Sequence, residues 1–277
     1  MAVRFGILLL ALGGFIVAVL FLAVRGTSVS ARDVAWLART SDFSAAEADV
    51  YSRYLRRHRV HRLVGGLLGT LFAIIVGSRT FGSVSFGVGR NSPLADVLFC
   101  GLSGVLVGAF SAETFRLSEP PSATISASLT QHEGVARPQL IRAARVISVG
   151  AVIGSALVAA TGNGLTPLWI AIGGLVVALV AEATQSAITG RRRPVLSDEA
   201  QVVDLRIRSF ASTSIARLQL AAAVLTATWV VSQVPGADDV PLTPVQALAV
   251  IAGFVITVVL LHRASPRPPR KWIAGPS

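Results

Sequence analysis

Two glutamates stand inside otherwise apolar runs: Glu113, which closes Val107-Gly-Ala-Phe-Ser-Ala-Glu113, and Glu182, which closes Val177-Ala-Leu-Val-Ala-Glu182. An ionisable group in such a setting is costly and therefore a functional candidate. Two carboxylates facing one cavity would bind a cation or relay protons. Alternatively, each sits at headgroup level and pairs with a nearby arginine such as Arg145 or Arg217. The flanking arginines make the second arrangement the expectation. Asp96, with Arg79 or Arg90, is read in the same way.

Other chemistry is poorly supported by the residue patterns. The sequence has no HExxH zinc motif, no GxSxG nucleophile turn, no phosphate-binding P-loop and no TVGYG-like filter. His58 and His61 lie in a basic run, with His132 and His262 elsewhere, and a structural role outside the membrane is expected for the first two. Asp198, Glu199 and Asp204 read as ordinary linker charge. Cys100 is the only cysteine, so an internal disulfide and a cysteine metal cluster are both excluded. No catalytic, cofactor-binding or metal-binding residue is assigned, no cofactor is expected, and the chain reads as non-enzymatic.

The elements that carry the two glutamates are apolar blocks. Only 14% of the 277 residues are charged and 53% are hydrophobic, whereas a soluble domain carries roughly a quarter charged residues. Such a chain must place much of its outer surface against lipid. Seven blocks are legible: Phe5–Val24, Leu63–Ser78, Pro93–Phe115, Arg145–Ala160, Leu165–Ala187, Arg217–Val234 and Val245–Leu261. Their unbroken apolar runs lack the alternation of a membrane barrel. The fold class expected is an all-α, polytopic transmembrane bundle of seven helices, one N-terminal span followed by three hairpin repeats. The domain plan is a first span over 1–24, an arginine-rich cytoplasmic linker with an amphipathic helix over 25–62, a six-span bundle over 63–263 and a disordered basic tail over 264–277.

Charge sets the expected orientation. Eight arginines fall in 25–62, four in 116–145, six in 191–217, and four Lys or Arg in 263–271, leaving only Arg4, Arg79 and Arg90 on the other side. The positive-inside rule then places the N-terminus outside and the C-terminus in the cytoplasm. The net charge of +11 is read as membrane-flanking arginine, without nucleic-acid binding. Expected partners are a bilayer with anionic headgroups at its inner face and a membrane or cytoplasmic protein.

Local patterns add detail. The helices opening the three hairpins read Arg57-His-Arg-Val-His-Arg-Leu-Val-Gly-Gly66, Ile141-Arg-Ala-Ala-Arg-Val-Ile-Ser-Val-Gly150 and Ser214-Ile-Ala-Arg-Leu-Gln-Leu-Ala-Ala-Ala223. Each sets arginine before an apolar run, and two closing helices carry the glutamates, which suggests duplication. Gly65/Gly69, Gly104/Gly108 and Gly150/Gly154 have the GxxxG spacing of close helix contacts. Ser44-x-x-Glu47 fits a capping box, followed by Val50, Tyr51, Tyr54, Leu55 and His58 near one helix face. That helix is expected to lie on the membrane, with Arg53, Arg56, Arg57 and Arg59 near lipid phosphates.

Ser126-Ala-Ser-Leu-Thr before the fourth block, Ala181-Glu182 with Arg192-Arg193-Pro194 after the fifth, and Asp204-Leu-Arg206-x-Arg208-Ser-Phe before the sixth carry a resemblance. In these stretches the chain resembles an uncharacterised family of actinobacterial multi-pass membrane proteins. The resemblance implies topology, a bacterial plasma-membrane location and no particular activity. The function expected is that of a membrane scaffold or accessory subunit of a larger complex, with a small-solute or ion transporter using Glu113 and Glu182 as the alternative.

Overall fold

A computed structural model describes residues 27–81, 93–117, 138–162, 164–190, 198–234 and 244–269. Of these, the side chains of 76–81, 93–96, 114–117, 190 and 198–200 are not described. The expected first span over 1–24 lies outside the described residues.

The described residues form an all-α bundle of seven helices: α1 (Ala31–Ala38), α2 (Ala45–Phe81), α3 (Pro93–Leu117), α4 (Pro138–Ala160), α5 (Thr166–Gly190), α6 (Asp198–Gln233) and α7 (Pro244–Arg263). Among the described residues, four helices are long and apolar enough to cross a membrane: α4, α5, α6 from Gln201, and α7. A shorter apolar stretch, Val97–Glu113, runs within α3. This is a multi-pass membrane protein. The apolar side chains of α4 and α7, such as Ile153, Leu157, Leu248 and Ile251, point outward, as lipid contact requires.

α6 is the central helix. It packs against α4, α5 and α7 over long stretches and touches α1, α2 and α3 as well. Its inner residues are largely small, with Ala211, Ala216, Ala221 and Ala223 fully buried. Small side chains let helices approach closely, and close packing replaces the hydrophobic drive that lipid removes. The turn between α4 and α5 is short because Gly162 and Gly164 adopt φ of 83° and 84°, a region that glycine enters without a Cβ clash.

Two helices are much longer than the apolar blocks they contain. α2 has 37 residues and α6 has 36, so each runs to about 55 Å, well beyond a hydrocarbon core of about 30 Å. The extra turns precede Leu63 in α2 and Arg217 in α6. They pack together with α1 around Val34, Leu37, Tyr51, Leu55, Val203 and Ile207. The linkers thus form a folded platform at one end of the bundle.

This arrangement revises the reading of α2. Ser44 and Glu47 do form the capping box, with Ser44 N donating to Glu47 Oε2 at 2.7 Å and Glu47 N to Ser44 Oγ at 3.2 Å. Tyr51, Tyr54, Leu55 and His58 do share a face. That face meets protein, not the membrane surface, and Val50 is exposed. Arg59 is buried inside the platform, away from the lipid phosphates expected for it. Helix α1 was not foreseen. Its signal is a second capping box, with Asp33 N and Ser30 Oγ at 3.3 Å and Ser30 N and Asp33 Oδ2 at 2.8 Å. The helix ends where Arg39 turns left-handed at φ 56°.

Candidate functional site

The glycine seam between α2 and α3 fixes where Glu113 lies. A methyl group at Gly65 would collide with the Gly104 carbonyl and stand 3.0 Å from Gly108 Cα. One at Gly108 would collide with the His61 carbonyl and stand 3.2 Å from Arg62 Cα. Further along, Gly69 lies against Cys100 and Gly104. Rising numbers in α3 meet falling numbers in α2, so the helices are antiparallel and in backbone contact. Glu113, just over a turn beyond Gly108, must then face the part of α2 that precedes His61.

It does so in a buried cluster. Tyr54 Oη donates to Glu113 Oε1 at 2.6 Å, and His58 Nε2 lies 2.7 Å from the same oxygen. The side chains of His58 and Glu113 are each 1% exposed. The Tyr54 ring packs on the His58 ring at 4.7 Å and edge-on to Phe210 of α6 at 6.1 Å. His58 lies in the platform extension of α2, before Leu63. Burial pulls its imidazole below the ordinary 6.5, and the charges of Arg62 and Arg57 act in the same direction against Glu113. The expected pairing of Glu113 with Arg145 or Arg217 is therefore replaced by a phenol and an imidazole.

Glu182 meets the expectation. Arg145 Nε and Nη2 donate to its two oxygens at 2.7 Å each, the fork-to-fork geometry that suits guanidinium and carboxylate. Gln219 Nε2 of α6 adds a third bond at 2.9 Å. The Arg145 side chain is 63% exposed, consistent with a position at the edge of the bundle. Arg217 donates elsewhere, to the Arg263 carbonyl at 2.5 Å. The two glutamates are thus held by different residues: Glu113 by two side chains of α2, and Glu182 by α4 and α6.

A second buried network holds the ends of the described chain to α2. Arg59 lies 3.0 Å from Asp33 Oδ1, donates to the Pro266 carbonyl at 2.8 Å and also reaches the Ser28 carbonyl. Burial would raise the Asp33 carboxyl, but hydrogen bonds from Arg59 and Ser30, with the Arg59 charge, hold it below its ordinary 3.8. One turn on, Arg62 donates to the Ala264 carbonyl at 2.7 Å and to Ser214 Oγ at 3.2 Å. The opening of the expected tail, Ala264–Pro269, is therefore anchored, while 270–277 lie outside the described residues.

The remaining candidates have ordinary surroundings. Asp204 pairs with Arg208 across one turn at 2.7 Å. Gln185 Nε2 donates to Ser212 Oγ at 3.3 Å. His262 is exposed in the last turn of α7. Among the described residues, no group of three or more His, Cys, Asp or Glu could hold a metal ion. The side chains of Asp96, Asp198 and Glu199, together with Arg79, Arg90 and His132, lie outside what is described.

No protein-family model matches the chain, and neither the curated proteins nor the solved structures give a match.

Proposed function

We propose that this chain is a non-enzymatic membrane scaffold or accessory subunit of a larger complex. The observation that carries the proposal is the platform built from α1 and the extensions of α2 and α6. Two spans prolonged by several helical turns, locked by Arg59 and an aromatic core, form a rigid protein surface beside the membrane. The exposed Val202 and Leu205 on α6 give that surface an apolar patch. The ion pairing of Glu182 with an edge arginine supports the same reading.

The proposed setting is a bacterial plasma membrane, with seven spans in all, three hairpins following the first span. The arginine distribution supports an outside N-terminus and a cytoplasmic C-terminus, which puts the platform in the cytoplasm, where a protein partner and anionic headgroups are both in reach. The alternative is small-solute or ion transport through Glu113 and Glu182. It requires the two carboxylates to serve one path, whereas their hydrogen-bond partners are separate residues on separate helices.

A photo-crosslinking residue placed at Val202 in native membranes tests the reading. It is expected to give one discrete adduct with a cytoplasmic or membrane protein, while the same probe at lipid-facing Leu248 gives none. Purified chain in proteoliposomes is expected to pass protons and monovalent cations no faster than empty vesicles. A flux abolished by Glu113→Gln and by Glu182→Gln, with no adduct at Val202, would establish transport instead.

A further inference from the structure

The platform and the bundle meet at a buried titratable cluster, and nothing in a static scaffold calls for one there. Tyr54 belongs to both. Its ring packs on Phe210 of α6, which packs in turn on Trp36 of α1 at 5.4 Å, while its hydroxyl is bound to Glu113 of α3. His58, one turn along α2, stacks on Tyr54 and touches the same carboxylate oxygen. A purely structural joint would be served by an apolar residue at position 58, because burying an imidazole costs free energy unless both ring nitrogens are satisfied. Here they are not: among the described residues, both His58 nitrogens are buried without hydrogen-bond geometry to a partner, although Nε2 lies 2.7 Å from Glu113 Oε1.

We propose that Tyr54, His58 and Glu113 form a proton-binding site whose occupancy loosens the aromatic packing of the platform where it meets the bundle. With Glu113 ionised and His58 neutral, the carboxylate charge is offset by buried Arg62, one turn beyond His58. Uptake of one proton at Nδ1 makes His58 an imidazolium and adds a positive charge to a site where Arg57 and Arg62 already outnumber Glu113. The charged and titratable groups around it are Glu113 from α3 and Tyr54, Arg57 and Arg62 from α2, while α6 contributes the neutral Phe210 and Ser214. Among these only Glu113 favours the added proton. Burial, Arg57 and Arg62 oppose it.

The sign of the pH dependence follows. A histidine whose folded value lies below the ordinary 6.5 supports the closed joint above that pH. The support is lost as pH falls from 6.5 through the folded value. Acidification therefore weakens the contact among Tyr54, Phe210 and Trp36, and the neutral state holds it. This inference concerns the chain itself and does not depend on the identity of any partner.

The test uses the full chain in lipid nanodiscs, with Trp169, Trp229 and Trp272 changed to Phe so that Trp36 reports on the joint. The expected result is a single-proton change in Trp36 emission with a midpoint below pH 6.5. The change should vanish in His58→Gln, persist in His61→Gln and move to lower pH in Glu113→Gln, which removes the one group favouring the proton. Imidazole C2–H exchange read by mass spectrometry on the unsubstituted protein keeps the question open to refutation if a variant fails to fold. His58 should titrate there with the midpoint seen by Trp36. A Trp36 transition that survives His58→Gln, or a His58 midpoint at or above 6.5, would overturn the proposal.

Discussion

Replacing Gly108 by alanine adds one methyl group, yet it should be among the most damaging small changes in the bundle. The new Cβ would collide with the His61 carbonyl oxygen and lie 2.8 Å from that carbonyl carbon. The obstacle is the backbone of α2, which cannot rotate away as a side chain would. Restoring ordinary carbon contacts of about 3.5–4.0 Å requires α2 and α3 to separate by roughly 1 Å at that point. Overpacking of this kind costs about 1–3 kcal/mol. The separation also works against the Tyr54 hydrogen bond to Glu113 and the close approach of His58 to it. Gly150 is the internal control. It has the same GxxxG spacing, but a methyl there meets nothing within 4 Å, so Gly150→Ala should gain about 0.5–1 kcal/mol from helix propensity. The two variants should therefore differ by about 1.5–4 kcal/mol. Unfolding in mixed micelles titrated with a denaturing detergent, followed by circular dichroism, measures the difference. Equal stability of the two variants would show that the α2–α3 seam is not packed backbone to backbone.

Arg59→Met should cost about 3–5 kcal/mol, the range for leaving a buried charge without its partner, because Asp33 and the Pro266 and Ser28 carbonyls all lose a donor; protease protection of the 264–269 segment should fall with it, and unchanged protection would refute the anchor. Asp33, held below its ordinary 3.8, contributes stability that is complete above that value and is lost as pH falls through the lower folded value. Melting of α1 followed at pH 5 and pH 3 should show this acid loss in the wild type and not in Asp33→Asn, and equal acid loss in both would remove the assigned role.

The membrane character and most of the helices were legible because apolar runs of span length have few alternative meanings. The close contact of α2 and α3 was legible in Gly65, Gly69, Gly104 and Gly108, but the same spacing at Gly150 and Gly154 misled. Spacing shows that a helix face is small, and only the fold decides whether another helix covers it. The platform was hidden for a related reason. The amphipathic face of Tyr51, Tyr54, Leu55 and His58 was visible, but lipid and protein both satisfy an apolar stripe beside arginines. What decides between them is α1, eight residues long and too short for its periodicity to stand out. The partner of Glu182 was readable because Arg145 opens the apolar block of the neighbouring hairpin helix. The partners of Glu113 were not, since they depend on the register of the glycine seam, which brings Tyr54 and His58 to it from 59 and 55 positions away in sequence.

The central claim is that Glu113 and Glu182 are built into separate parts of the structure and do not act as one site. A double-mutant cycle addresses it directly: unfolding free energies of Glu113→Gln, Glu182→Gln and the double variant, each measured in detergent across neutral pH. Independent networks predict that the two losses add to within about 0.5 kcal/mol at every pH. A coupling well above that, changing with pH near neutrality, would mean that the carboxylates share a proton or a cation, and would contradict the scaffold reading in favour of transport.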